Sequence, residues 1–194
     1  ALKEQIGDVK GKAATLANMA WLAGQQGDAE EARRLNLEAA RALSDVRSWL
    51  DLATVLTNLG FSGGENDAVF LAQAMWLALR VEVPAEGSLN LAAAMIKKLG
   101  ADHEAAPKLA MAAILLVQTR GENHPRQQEM LQGASGMLMA CAEARGVEPE
   151  KIESWLESEG LNDPNRFAPE LIVRLEAMVG AGEWLFDRRM LGEQ

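Results

Sequence analysis

The feature that most constrains this chain is a pair of amphipathic segments within residues 8–43 that meet at a tight turn. Each segment carries apolar residues at helical spacing, and Gln26-Gly27-Asp28 separates the two. Alanines stand where the two helices of a hairpin would touch. Because a lone helical hairpin cannot bury its own apolar face, this pattern predicts further hairpins stacked beside it.

Composition and charge narrow the class of protein further. Hydrophobic residues make up 48% of the chain and tyrosine is absent, while the apolar content is rich in alanine and leucine, which favours helix over strand. The net charge of -9 repels polyanions, so we expect no nucleic-acid partner. The longest apolar run, residues 109–117, is nine residues long. A membrane span needs about 20 apolar residues, so we expect no membrane segment, and we see no signal peptide.

Three glycines mark comparable helix ends, at Gly27, Gly60 and Gly100. At identical distances before them stand a large apolar residue and a small one, namely Leu16, Trp49 and Leu89, then Ala20, Ala53 and Ala93. Met19 and Leu52 fill a further large position, where the third copy has Ala92. Small residues let two helices approach closely, so we expect Ala20 to face Ala32 and Ala93 to face Ala105. Ala39 and Ala112 are expected to face the next hairpin.

These residues resemble the tetratricopeptide repeat, a helix-turn-helix unit of about 34 residues. The first unit matches through Leu16, Met19, Ala20, the Gln26-Gly27-Asp28 turn, Ala32 and Ala39. The second matches in its first helix only, because either Ala68 or Ala72 could hold the small-residue place. In the third unit Pro107 falls inside or at the start of the second helix. The resemblance implies an all-α, right-handed superhelix (an α-α solenoid) of hairpins over residues 1–122, with units at about 8–44, 46–80 and 87–119.

The repeat pattern fails beyond residue 122, and we expect divergent helical hairpins over residues 123–194 that cap the same array. Asn123-His124-Pro125 predicts a helix start, with the helix running to Arg145. Further helices are predicted at 149–159, 169–179 and 182–191, with a break at 161–165. Trp184 and Phe186 are expected to pack on the preceding helix, or else to form a patch for self-association.

The resemblance also carries an expectation about function. In the tetratricopeptide family the first helix of each hairpin lines a concave side that commonly grips a peptide. The residues with this placement are Asn18, Trp21, Arg47, Leu50, Thr54, Asn58, Asn90 and Lys97. Cations and amides can bind carbonyl or acidic groups, and Trp21 can serve as an apolar anchor. The alternative reading is that these are ordinary solvated helix positions.

The sequence gives little support for a catalytic or metal-binding site. His103 and His124 lack metal-ligand spacing, and the residues around His103 are typical of helix capping. Cys141 is the single cysteine and lies in an apolar run, so a buried, inert thiol is expected; one cysteine also fits a reducing compartment. We expect no enzyme activity, no cofactor, no metal site and a cytoplasmic location.

We therefore expect a non-enzymatic scaffold that binds a peptide segment or helix of another protein on its concave face. The phrase IGDVKGKAATL is similar to segments in large bacterial signalling ATPases and kinesin light chains, which implies a piece of a longer array in a larger bacterial signalling or assembly protein. The alternative is a structural module that self-assembles into a homo-oligomer through the ends of the array.

Overall fold

The computed structural model describes residues 2–180 and 184–191, with side chains from residue 7 onward. In these residues the chain forms α-helices, two short 3-10 segments and turns, and no strand. The helices are α1 (Leu2–Gln25), α2 (Ala29–Asp45), α3 (Trp49–Gly60), α4 (Asp67–Ala78), α5 (Ala85–Leu99), α6 (Ala106–Arg120), α7 (Gln127–Ala144), α8 (Ile152–Ser158) and α9 (Pro164–Val179). The all-α prediction is confirmed. Among the described helices, none combines the length and apolarity that crossing a bilayer requires.

The chain divides into two compact units, one of residues 1–81 with 179–194 and one of residues 82–178. In the first, α1 packs on α2, α2 on α3, and α3 on α4. In the second, α6 packs on both α5 and α7. Within each unit these helices therefore pack on their neighbours in the sequence, as in a series of hairpins. The right-handed superhelix and the boundary at residue 122 stay predictions.

Three alanines bring the helices of the second unit together. Ala92 of α5, Ala113 of α6 and Ala134 of α7 are fully buried in one cluster. Methyl-sized side chains leave room for three helix backbones to approach one another. Ala105 and Ala112 are also buried.

The register predicted for α5 is wrong by one residue. Ala92 is fully buried, whereas Ala93, the predicted contact residue, is exposed and cannot face Ala105 in the core. The cause is that the three marker glycines hold different places relative to the helix ends. Gly27 lies two residues beyond α1, Gly60 is the last residue of α3, and Gly100 directly follows α5. Distances counted back from these glycines therefore do not reach equivalent positions.

The first hairpin keeps its small residues but not all of its predicted core. Leu16, Ala20, Ala32 and Ala39 are buried, whereas Met19 is 48% exposed. From Gly7 to the end of α1, the buried positions are Ala13, Leu16, Ala20 and Ala23. This is a narrow stripe of alternating three- and four-residue steps, and Met19 lies at its edge.

Helix ends show the same backbone motif four times. One residue beyond the C-cap lies in the left-handed region at Gly27, Arg47, Gly146 and Gly160. At α1, the Asp28 N–H donates to Ala23 O at 2.9 Å and the Gly27 N–H to Gly24 O at 3.1 Å. At α2, Ser48 donates to Leu43 O and Arg47 to Ser44 O in the same way. This is the Schellman motif, which satisfies the last carbonyls of a helix.

Two open points of the second and third hairpins are resolved. Ala72 is fully buried and Ala68 only half-buried, so Ala72 holds the small-residue place in α4. Helix α6 begins at Ala106, which puts Pro107 in its first turn. Proline is tolerated there because the first N–H groups of a helix have no intrahelical acceptor.

The predictions for the last helices need correction. Helix α7 begins at Gln127, after Pro125, and α9 begins at Pro164, with Pro169 inside it. In the predicted helix 182–191, Gly182 and Glu183 lie outside the described residues. Residues 184–187 are not helical, and only Arg188–Leu191 forms a 3-10 turn. The apolar spacing of this segment reflects packing on other helices, described below.

Candidate functional site

A groove of about 510 Å³ runs between α1 and α3 in the first unit. It is lined on the α1 side by Lys10, Gly11, Ala13, Ala14, Ala17 and Asn18, and elsewhere by Leu43, Asp51, Thr54 and Val55. Four of the six lining residues of α1 are glycine or alanine. Because these side chains are short, the two helices can lie side by side without filling the space between them.

The groove has an apolar floor and polar edges. Ala13, Leu43 and Val55 are buried beneath it. Lys10 and Asn18 of α1 are exposed, as are Asp51 and Thr54 of α3. An apolar base with a few placed polar groups is the usual character of a surface that recognises a segment of another protein.

Secondary contacts orient the polar groups of α3. The Ser48 hydroxyl donates to the Asp51 carboxylate at 2.5 Å, at the start of the helix. The Thr54 hydroxyl donates to the Leu50 carbonyl one turn earlier, at 3.2 Å. This bond turns the Thr54 hydroxyl toward its own helix.

Large apolar side chains flank this groove. Trp21 is 65% exposed and lies three residues beyond Asn18, on the same face of α1. Leu50 is 46% exposed and lies one turn before Thr54 on α3. Met19 and Leu22 are also exposed, but they lie on other faces of α1. Exposed apolar side chains beside a groove are typical of an interaction surface.

The predicted site residues divide into two groups. Asn18 and Thr54 line the groove. Trp21 and Leu50 are not among its lining residues and lie about one helical turn from Asn18 and Thr54. Asn58 is exposed near the end of α3. Asn90 and Lys97 are exposed on α5, in the second unit, and the groove does not include them.

Arg47 does not lie on a helix, contrary to the prediction. It occupies the turn between α2 and α3 with φ +54°, so that α3 begins at Trp49. The sequence pattern had no glycine to mark the end of α2, and the turn was therefore assigned to the helix that follows.

Sequence reasoning missed the groove residues Lys10, Gly11, Ala14, Ala17 and Asp51. A signal for the α1 wall was present, because Gly7, Gly11, Ala14 and Asn18 follow one another at helical spacing of three or four residues. Small residues at this spacing predict contacts between helices, whereas in α1 they also leave a space open.

The second unit has a larger groove, of about 760 Å³, between the start of α6 and α9. Charged side chains at this groove form ion pairs with one another. Arg174 pairs with Glu104, and the Lys108 ammonium lies 3.3 Å from the Glu170 carboxylate and 3.9 Å from that of Glu159. Lys108 is itself buried. Ion pairs that join α6, α8 and α9 in this way are expected to hold the unit together rather than receive a ligand.

The histidines and the cysteine have local structural roles. Nδ1 of His103 accepts the Ala105 N–H at 3.1 Å, and Nδ1 of His124 accepts the Arg126 N–H at 3.2 Å, each just before a helix. Cys141 is fully buried, and burial raises the pKa of its thiol although the Arg145 charge opposes this. In the described part of the chain, no three His, Cys, Asp or Glu residues are grouped to hold a metal ion.

Comparison of this chain with protein-family models, with curated proteins and with solved structures found no match. The resemblance to the tetratricopeptide repeat therefore rests on the residues of the hairpins themselves and stays a prediction.

Proposed function

We propose that this chain is a non-enzymatic scaffold that binds a segment of another protein in the α1–α3 groove. The observation that carries the proposal is the open space beside Ala14 and Ala17, flanked by the exposed side chains of Trp21 and Leu50. Buried aromatic anchors commonly supply most of the energy of a protein interface.

The shape and chemistry of the groove favour an extended segment or one face of a helix as ligand. Small residues on α1 admit one row of ligand side chains onto Val55 and Leu43. The Asn18 amide can hydrogen-bond to a ligand backbone, and Lys10 provides a positive charge at one end. A ligand with an apolar stripe and an acidic group fits these features.

The right-handed superhelix expected from the hairpin pattern, with the first helices of the hairpins on its concave side, is part of this proposal. A cytoplasmic location is part of the same proposal and rests on the single cysteine.

Filling the groove tests the proposal. Peptides are first selected on the wild-type chain from a displayed random library, and their affinities are then measured by calorimetry. The variant Ala14→Trp puts a bulky side chain at an exposed position in the groove. We expect it to weaken binding at least about ten-fold, a loss of about 1.4 kcal/mol.

The matched control is Ala140→Trp, which makes the same change at an exposed alanine of α7. It should bind the selected peptides as the wild type does. Equal affinity of the Ala14→Trp variant and the wild type would contradict the proposal.

The variant Lys10→Glu tests the charge of the groove on the same peptides. It should lower the affinity for peptides with acidic residues and leave the affinity for the other peptides unchanged.

A further inference from the structure

A second surface of the first unit is covered by a short segment of the chain itself. Residues 184–187 follow α9, are not helical, and pack on the α3–α4 hairpin. Trp184 and Phe186 are two residues apart, and both contact the ring of Trp76 of α4. Trp76 lies on α4, and Trp49 lies on α3 but is not among the residues that line the α1–α3 groove.

The aromatic contacts are specific in geometry. The rings of Trp184 and Trp76 meet edge to face with centroids 5.4 Å apart. Phe186 lies 5.8 Å from Trp76 and 6.0 Å from Trp49, at the start of α3, and is only 5% exposed. Aromatic pairs prefer such tilted arrangements, and each contributes beyond the area that it buries.

A hydrogen bond fixes the backbone of this segment. The Leu185 N–H donates to Oε1 of Gln73 at 2.9 Å, and Gln73 is fully buried in α4. The Gln73 amide thus binds the backbone of the segment at Leu185, and the aromatic side chains before and after Leu185 pack on Trp76. The α3–α4 surface therefore contacts both the backbone and the side chains of the segment. Main-chain bonds combined with pockets for alternate side chains are a recurring mode of peptide recognition.

Two arginine side chains lie over rings of the aromatic cluster. The Arg80 guanidinium lies 4.3 Å from the Trp76 ring centroid, and that of Arg188 lies 4.6 Å from the Trp184 ring centroid. The segment also leaves space beside it, because a pocket of about 310 Å³ is lined by Leu185, Trp184 and residues of α2 and α4. Space therefore remains between the segment and the neighbouring surface of α2 and α4.

We propose that the α3–α4 face formed by Trp49, Gln73 and Trp76 is a binding site for extended segments of the pattern aromatic-x-aromatic. Residues 184–187 are its tethered occupant, which a partner segment of the same pattern must displace. A tethered ligand competes at an effective concentration that reaches the millimolar range for short links. Binding of a partner is thus restrained by the chain's own segment.

The test uses the full-length chain and a fluorescent peptide that copies residues 180–191. In the variant Trp184→Ala/Phe186→Ala the tethered segment loses both anchors, and we expect the peptide to bind. The wild type should bind it at least about ten-fold more weakly, because most of its sites are occupied. A peptide with alanine at both aromatic positions is the control and should not bind either chain.

Two outcomes would overturn the proposal: no binding to the double variant, or equal affinity for the double variant and the wild type. In the double variant, a further change of Trp76→Leu should abolish peptide binding, whereas a further change of Ala14→Trp should leave it unchanged. This pair separates the α3–α4 face from the α1–α3 groove, so that either proposal can fail alone.

A measurement on the wild-type sequence keeps the test open if the double variant does not fold. The chain is labelled with 5-fluorotryptophan, and the Trp184 signal is assigned from a Trp184→Phe variant. Excess peptide should convert this fluorine signal from its docked to its released position. A Trp184 signal that stays unchanged at peptide concentrations above the effective concentration of the tether would contradict displacement.

Discussion

At the residue scale, Arg47 has a backbone conformation that glycine adopts at the three other Schellman ends found in the described residues. Its φ of +54° follows from the hydrogen bonds that close α2, in which its own N–H and that of Ser48 bind the last carbonyls. A side chain in this region is disfavoured because its Cβ crowds the backbone, and glycine has no Cβ. Arg47 therefore carries a local cost that a single substitution can remove.

We expect Arg47→Gly to raise the free energy of unfolding by about 0.5–1 kcal/mol, because it relieves this cost. The control is Arg41→Gly, at an exposed position inside α2, which should lower it by about 1 kcal/mol because glycine weakens a helix interior. Urea unfolding measures both. A loss of stability in Arg47→Gly would show that the turn does not have the described conformation.

Cys141 gives a second expectation at this scale. Burial raises the pKa of its thiol, so at pH 8 a smaller fraction is thiolate than in an unfolded chain. Since the thiolate is the nucleophile, iodoacetamide should modify the native protein slowly and the urea-unfolded protein fast. Mass spectrometry follows the reaction. Native-state labelling as fast as in urea would contradict the burial of this side chain.

At the scale of the element, helix α5 tests which alanine makes the contact between helices. Ala92 is packed against Ala113 and Ala134, whereas the adjacent Ala93 is exposed. We expect Ala92→Leu to lower the free energy of unfolding by about 1–3 kcal/mol, because the cluster has no room for the added carbons. Ala93→Leu should change it by less than about 0.5 kcal/mol. Urea unfolding measures both variants. A lower free energy of unfolding for Ala93→Leu than for Ala92→Leu would contradict this register.

The helices themselves could be predicted from the sequence because apolar spacing and turn residues are local signals. Their exact registers could not. The register of α5 depends on where Gly100 falls relative to the helix end, and the assignment of Arg47 depends on a turn formed without glycine. In the candidate groove, Asn18 and Thr54 were found through their helix faces, while Ala14 and Ala17 look in sequence like any helix contact.

At the scale of the whole molecule, long-range contacts were beyond what local patterns could show. The segment 184–186 has apolar spacing that also suits a helix, yet the Leu185 N–H binds Gln73, 112 residues earlier in the chain. Such a contact depends on the complete fold of α3 and α4. These contacts also disfavour self-assembly through the two aromatic residues, because Phe186 is buried and Trp184 packs on Trp76 within one chain.

We expect the purified chain to scatter light as a monomer across a wide concentration series, because these aromatic side chains are engaged internally. Trp184→Ala uncovers part of Trp76 and should make the apparent mass rise with concentration. A wild-type mass that grows with concentration, and stops growing in Trp184→Ala, would instead support oligomerisation through this segment.

The central claim is that the α1–α3 groove receives a segment of another protein. The most direct measurement is an amide and methyl NMR titration of the full-length chain with a library-selected peptide. The account predicts that the large shifts fall on the groove and its walls, at Gly11, Ala14, Asn18, Trp21 and Thr54, and that Ala14→Trp removes them. Shifts confined to other surfaces, such as the larger groove between α6 and α9, would contradict the claim.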